Sequence, residues 1–232
     1  MREDTGLLWN AFLIAFSALL PVMNPFGSAL VFLNLVGDVW PAGYRSLALK
    51  IAINNVILLG VFELLGSAIL NFFGISLPIV QVAGGLVIAA IGWSLLNEKD
   101  SDGSTRAKLD DAATCTEADL AMLHAKAFYP LTFPVTSGPG VLVVLLTLSA
   151  RFSTGDTLNK VLGHVGLFIA IVALSVLVYF CYAYAAKITK VISAATAHGI
   201  LRVMAFILLC IGVQIAWNGI SVLLTSVLRM AR

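Results

Sequence analysis

The stretch Leu19-Leu20-Pro21-Val22-Met23-Asn24-Pro25-Phe26-Gly27-Ser28 interrupts a hydrophobic run from Leu7 to Val36 that otherwise reads as one long membrane helix. Each proline removes a backbone donor and clashes with the preceding turn, so the helix should break or kink here and leave N–H and C=O groups unpaired at membrane depth. Lipid offers those groups nothing. Such backbone survives in a bilayer only where protein covers it or where it lines a wet cavity. The same device returns at Phe133-Pro134-Val135-Thr136-Ser137-Gly138-Pro139-Gly140. Pro21 aligns with Pro134 and, after a one-residue gap, Pro25 with Pro139; an apolar run follows each. Interrupted hydrophobic segments at corresponding positions of two halves point to the binding site of a secondary transporter.

The rest of the chain fits a membrane protein. Hydrophobic residues make up 60% of the 232 residues and charged ones 11%, and the mean hydropathy is +1.00; a soluble globule is far less apolar. Six hydrophobic spans run from Leu7 to Val36, Ser46 to Phe73, Leu77 to Leu96, Leu120 to Ala150, Leu158 to Ala186 and Gly199 to Leu228. Each is near or above the roughly 20 residues that cross a bilayer core of about 30 Å. The first and fourth, at about 30 residues, would be roughly 45 Å long as continuous helices, and a break into two half-helices with a bent connection takes up the excess. The only long hydrophilic stretch, Asn97 to Asp119, separates two halves of three spans each. Three is odd, so the second half enters the membrane in the opposite direction. The expected architecture is therefore an all-α membrane protein of six transmembrane helices in two inverted three-helix repeats, with helices 1 and 4 broken. Residues 1–97 form the first repeat, 98–119 a cytoplasmic loop and 120–232 the second repeat. A weaker internal match sets Gln81-Val82-Ala83-Gly84-Gly85 against Arg202-Val203-Met204-Ala205-Phe206.

Lys and Arg counts set the orientation. Arg45, Lys50, Lys99, Arg106, Lys108, Lys126, Lys187, Lys190 and Arg202 flank the connections on one side, against Arg2, Arg151, Lys160, Arg229 and Arg232 on the other. The positive-inside rule then puts both termini in the periplasm. The N-terminus lacks the basic region and cleavage site of a signal peptide and reads as a first span. A net charge of +2 without a basic cluster excludes nucleic acid as a partner. Cys115, Cys181 and Cys210 are too far apart in sequence for a metal spacing or a disulfide framework.

At the breaks, half-helices starting near Pro25 and Pro139 would present free N–H groups and positive dipole ends, suited to a substrate carboxylate. Gly27, Gly138 and Gly140 would let a ligand approach the backbone, and Asn24, Ser28, Thr136 and Ser137 would supply uncharged hydrogen bonds. Such a site suits a small zwitterion or neutral polar solute. The bland alternative is a pair of kinks whose freed groups are satisfied by neighbours.

Glu63, the only carboxylate within a span, costs roughly 2.5 to 3.5 kcal/mol on insertion scales and is a candidate for coupling transport to H+ or Na+. Equally it could turn to the outer interface with a structural hydrogen bond. Asn54 and Asn55 could line the same cavity or cross-link helices. His124, His164 and His198 read as interfacial residues, Tyr179, Tyr182 and Tyr184 with Lys187 as an interfacial aromatic belt, and the small residues of the third and sixth spans as helix-packing surfaces. No Walker loop, nucleophile elbow or metal-binding run is present. The sequence thus supports neither an enzyme nor a cofactor, and no feature of it sets an oligomeric state.

The order of motifs Asn24-Pro25-Phe26-Gly27-Ser28, Phe73-Gly74-Ile75-Ser76-Leu77-Pro78, Ala83-Gly84-Gly85-Leu86, Pro130-Leu131-Thr132-Phe133-Pro134 and Ser137-Gly138-Pro139-Gly140 resembles the MarC family of bacterial inner-membrane proteins over nearly the whole chain. The resemblance implies six spans, an inner-membrane location and transport of small neutral amino acids. An uncoupled channel or facilitator, an efflux protein for small solutes, and a non-transporting scaffold are the alternatives. The chain departs from the Asp-Pro-x-Gly-Asn that the resemblance implies in the first break, where Asn24 stands for the Asp and Ser28 for the Asn; Gly138-Pro139-Gly140 keeps the family's Gly-Pro-Gly.

Overall fold

A computed structural model describes residues 2–37, 40–97, 124–153, 156–187 and 194–230. The hydrophilic loop expected at 98–119 therefore lies outside the described residues, as does Cys115. The elements are α1 (Arg2–Met23), α2 (Pro25–Val36), α3 (Pro41–Phe72), α4 (Leu77–Asn97), α5 (Ala127–Thr136), α6 (Pro139–Phe152), α7 (Thr157–Ala183) and α8 (Ala194–Met230). Five helices are long and apolar enough to cross a membrane: Thr5–Leu33, Pro41–Gly66, Leu77–Asn97, Thr157–Ala183 and Arg202–Arg229. Among the described residues the pair α5 and α6, bent by 67° at its break, meets the same criterion when taken together, which brings the count to six if the pair is one span.

Prolines and glycines set the boundaries. Pro25, Pro41 and Pro139 open α2, α3 and α6, where a missing N–H costs nothing. Gly74, with φ of 66°, turns the chain after α3 while Ile75 N donates to Leu70 O at 2.9 Å, a closure that favours glycine.

The two interruptions differ, contrary to the expectation that both spans bend. At the first, only Asn24 leaves the helix, with φ 43° and ψ 65°. Asn24 N still donates to Leu20 O at 3.0 Å and Ser28 N to Asn24 O at 2.9 Å, so the hydrogen-bond ladder runs past the defect and α1 and α2 continue as one span. Pro21 sits inside α1 without ending it. The second interruption begins earlier than the sequence indicated. In α5 two four-residue units, Tyr129-Pro130-Leu131-Thr132 and Phe133-Pro134-Val135-Thr136, repeat one local conformation: Tyr129 and Phe133 are extended, and each precedes a cis proline. Each proline lacks the donor that a carbonyl four residues back would accept. The bonding register accordingly slips to five residues, with Leu131 N on Lys126 O and Ser137 N on Thr132 O.

Helices α3 and α7 pack against each other at the centre, with α1 on α7 and α5 and α6 on α3; α4 and α8 form the most extensive pair and join the bundle through α6 and α1. Outward faces carry large apolar side chains such as Trp9, Leu64 and Phe72, as a surface in contact with lipid requires. Lipid removes the hydrophobic drive between helices, so close approach must come from small residues. Gly85 lies against the backbone of Gly212 and Ala216, Gly212 against that of Gly85 and Ala89, and Gly92 against that of Ala205 and Leu209. A Cβ at Gly212 would run into backbone that cannot yield, so Gly212→Val should destabilise the bundle by about 1–3 kcal/mol in a denaturant titration in detergent micelles. Gly6→Ala, where a Cβ meets nothing within 4 Å, should leave the midpoint where it is.

Candidate functional site

The two interruptions meet inside the bundle. Thr136, the last residue of α5, shares a hydrogen bond of 2.8 Å with the hydroxyl of Tyr182 on α7. Ser28 from the first interruption lies beside that hydroxyl, its own proton going to Asn24 O at 3.0 Å. Tyr182 is completely buried and stacks on Phe32 of α2, ring centroids 4.5 Å apart and planes 20° from parallel. Phe32 also meets Tyr44 at 6.1 Å, and the Tyr44 hydroxyl donates to Gly37 O at 2.6 Å. Tyr182 therefore does not belong to the interfacial belt expected of it. Period and hydropathy cannot distinguish an inward tyrosine from its interfacial neighbours. Tyr184 does stay near the end of the helix, with the Arg45 guanidinium 5.4 Å and the Lys187 ammonium 5.8 Å from its ring centre.

Beside Tyr182 lies a second buried chain. The Ser137 hydroxyl donates to Asn55 Oδ1 on α3, Asn55 Nδ2 donates to Ser175 Oγ on α7 at 2.9 Å, and Ser175 Oγ donates to Ile171 O at 2.8 Å. Asn55 is fully buried and so acts both as cross-link and as part of the polar cluster. Among the described residues, every buried side-chain nitrogen or oxygen has a partner.

Each residue anticipated at the breaks can now be placed. Asn24 is turned onto its own helix: its Oδ1 accepts from Gly27 N at 3.2 Å, so it caps α2 and covers the donor that a carboxylate would have used. The absence of a Cβ at Gly27 makes room for that amide. Pro25 is buried, and the Ser28 hydroxyl donates to Asn24 O at 3.0 Å. The start of α6 differs: Gly138 gives it no side-chain cap. A Cβ on Gly138 would sit 2.9 Å from Pro134 O, and one on Gly140 2.7 Å from Ile88 on α4. Pro139 is exposed. Thr136 Oγ1 donates to Leu131 O at 2.7 Å, as Thr132 Oγ1 does to Ala127 O at 2.8 Å. The space between the interruptions is thus taken by Tyr182, Phe32 and threonine hydroxyls, and Gly27 N, Ala127 O and Leu131 O have side-chain partners.

Glu63 does not turn to the outer interface. Its side chain is 2% exposed and its Oε1 lies 2.5 Å from Nδ1 of His164 on α7. His164, expected at an interface, is the partner that the sequence left unnamed; 101 residues separate the two. Near them a groove of about 310 Å³ lies where α3 ends and α4 begins, lined by residues that include Asn71, Ser76, Leu146 and Ala150. Leu146 rests on Gly66, one turn beyond Glu63. Deeper along the same helices Gln81 Nε2 reaches Thr147 Oγ1 at 3.4 Å. Among the described residues no group of three or more His, Cys, Asp or Glu could hold a metal ion.

Removing the Tyr182 hydroxyl takes from Thr136 its partner on α7. Tyr182→Phe should cost about 1–3 kcal/mol, and Asn55→Leu about 0.6–2 kcal/mol, in unfolding measured in detergent, with membrane insertion retained in both variants.

With this arrangement established, comparison with known proteins is direct. Residues 9–224 match the family described as "MarC family integral membrane protein". The "UPF0056 inner membrane protein MarC" of Salmonella typhimurium is 27% identical over 216 residues, covering 92% of this chain and 95% of the relative. That of Citrobacter koseri is 26% identical over the same shares. A "UPF0056 membrane protein" of Aquifex aeolicus is 29% identical over 222 residues, 96% of each chain. No solved structure matches. The extent of the family match and the apolar helices together make the chain a multi-pass inner-membrane protein, and it belongs to the MarC family.

Proposed function

We propose that the protein is a secondary transporter of a small polar solute, of the neutral amino acid class, working by alternating access. The observation that carries this reading is the convergence of both interruptions on one buried polar cluster, Ser28, Thr136 and Tyr182 beside Ser137, Asn55 and Ser175. Polar groups inside a membrane bundle are expensive and mark solute pathways. The start of α6, uncapped and next to Ser137, is where a carboxylate would gain most from backbone donors.

The contacts between the halves support an inverted repeat. Gly85 meets Ala216 as Gly212 meets Ala89, and Gly92 meets Ala205 and Leu209 as Gly219 meets Pro78 and Val82. An offset of 127 residues, 85 to 212, interchanges these pairs and replaces the weaker alignment of Gln81 with Arg202. Two halves related in this way, with both termini periplasmic, can rock about a fixed midplane site. The groove beside Leu146 would be the vestibule on the side that carries the termini, its volume at the lower end for small-molecule sites. In the arrangement described, Tyr182 and Phe32 close the path. A cation gradient, of H+ or Na+, would drive uptake.

A second reading, a non-transporting scaffold, draws on the completeness of the hydrogen bonding among buried side chains. Purified protein in liposomes separates the readings. Labelled alanine or glycine should accumulate against its gradient when a proton or sodium gradient is imposed, whereas a channel or facilitator would only equilibrate it. Gly27→Leu and Gly138→Leu should insert normally and lose uptake to background, since the first displaces Asn24 and the second collides with Pro134 O. Unchanged uptake in both variants would remove the breaks from the mechanism. Cysteines placed at Asn24 or Ser137 should react with water-soluble thiol reagents during turnover, and a scaffold would keep them protected from both sides.

A further inference from the structure

Glu63 and His164 form a second polar site on the interface that carries Asn55 and Ser175, about 12 Å further along α3. We propose that the pair holds one exchangeable proton and is the place at which the protein couples to a proton gradient. This rests on the transport reading above and names its coupling ion.

The proton count follows from the hydrogen bonds. The Ser153 hydroxyl donates to Ser149 O at 2.8 Å, and a hydroxyl has a single proton to give. Its 3.2 Å contact with His164 Nε2 therefore requires the imidazole to be the donor, and Nε2 carries a proton. The 2.5 Å contact between Nδ1 and Glu63 Oε1 needs a proton of its own, on either the nitrogen or the oxygen. In both placements the pair has net charge zero, as a buried site in low dielectric favours. The arrangement is the proton-loaded state. Release sends the shared proton to water, leaving a neutral imidazole and a carboxylate with one negative charge.

Access is one-sided. The Glu63 side chain is 2% exposed and that of His164 30%, so exchange with water passes through the imidazole. On α6 and α7 the charged groups at this end are Arg151 in the last turn of α6, and Asp156 and Lys160 at the start of α7, all exposed; α1 begins with Arg2, Glu3 and Asp4, and Arg229 lies in the last turn of α8. The described residues of α1 that meet α7 here, Leu8, Ala11 and Phe12, carry no charge. Within the described shell, then, no other ionic group lies buried with the carboxylate. Bare ionised Glu63 is costly while α3 and α7 stay packed, so losing the proton favours parting these helices and gaining it favours closing them. Asn55 and Ser175 lie on the same interface, and its opening would expose the solute site.

The test uses the full chain in lipid nanodiscs with 15N-labelled histidine, the His164 signals being assigned by their loss in His164→Gln. The 15N resonance of His164 Nδ1 should move in Glu63→Gln, which replaces the proton-sharing carboxylate by an amide. In liposomes, the gain in labelled alanine uptake from an acidic exterior should disappear in Glu63→Gln and in His164→Gln. A His164 Nδ1 resonance identical with and without the Glu63 carboxylate overturns the proposal, as does a full pH-gradient response in both variants. If the wild-type protein carries no amino acid at all, the transport reading fails by itself, and the histidine spectra still decide whether the two residues share a proton.

Discussion

Inside a bilayer every peptide group must find its hydrogen bond within the protein, and this requirement shapes each departure from a straight helix in the chain. Five prolines stand within or at the start of the two interrupted spans, and the structure answers them in two ways. At Asn24 one left-handed residue absorbs the irregularity and its side chain replaces the lost partner of Gly27. In α5 the backbone winds more loosely, and the Thr132 and Thr136 hydroxyls donate to the carbonyls five residues back, Ala127 O and Leu131 O. Both interruptions hold two prolines four residues apart, but Pro25 opens α2, where no donor is needed, whereas Pro130 and Pro134 both lie inside α5, and the 67° bend of the span falls just after them, between Thr136 and Pro139.

The sequence therefore made the locations of irregular backbone legible, but not their geometry. Pro134, Pro139, Gly138 and Gly140 announce a break in the fourth span, and the break is there. Pro21 and Pro25 announce another in the first, where the helix carries on; a proline at the first position of a helix needs no donor, and nothing in the local pattern tells that case from a kink. Span limits were readable because length and hydropathy are enough to fix them: Leu77–Asn97 differs from the expected segment by a single residue. The wider loop between the halves falls outside the described residues.

Side-chain partnerships were the least legible part. Asn55 with Ser175 and Glu63 with His164 join residues 120 and 101 positions apart, and only the antiparallel packing of α3 on α7 brings them together. The one usable signal was ionisability itself. An unpaired carboxylate within a span is expensive enough to imply a partner somewhere, and three histidines were available; position along α7 shows His164 to be the one at matching depth. Tyr182 gave no such signal, since a tyrosine near a helix end is at home at the membrane surface.

The antiparallel pairing of α3 with α7 also sets how the two polar sites relate. Asn55 precedes Glu63 on one helix while Ser175 follows His164 on the other, so the same pair of helices holds both sites. Neither contact is a large reservoir of stability, because hydrogen bonds between membrane helices are worth only about 0.6 kcal/mol on average. Their value lies in what separation would leave behind. Parting α3 from α7 without water or a solute takes partners from an amide, a hydroxyl, a carboxylate and an imidazole in low dielectric, whereas parting them in the presence of both lets each group exchange one partner for another. An interface of that kind resists opening when dry and yields when suitable polar partners are at hand, which is the energetic profile that a carrier requires of its gate.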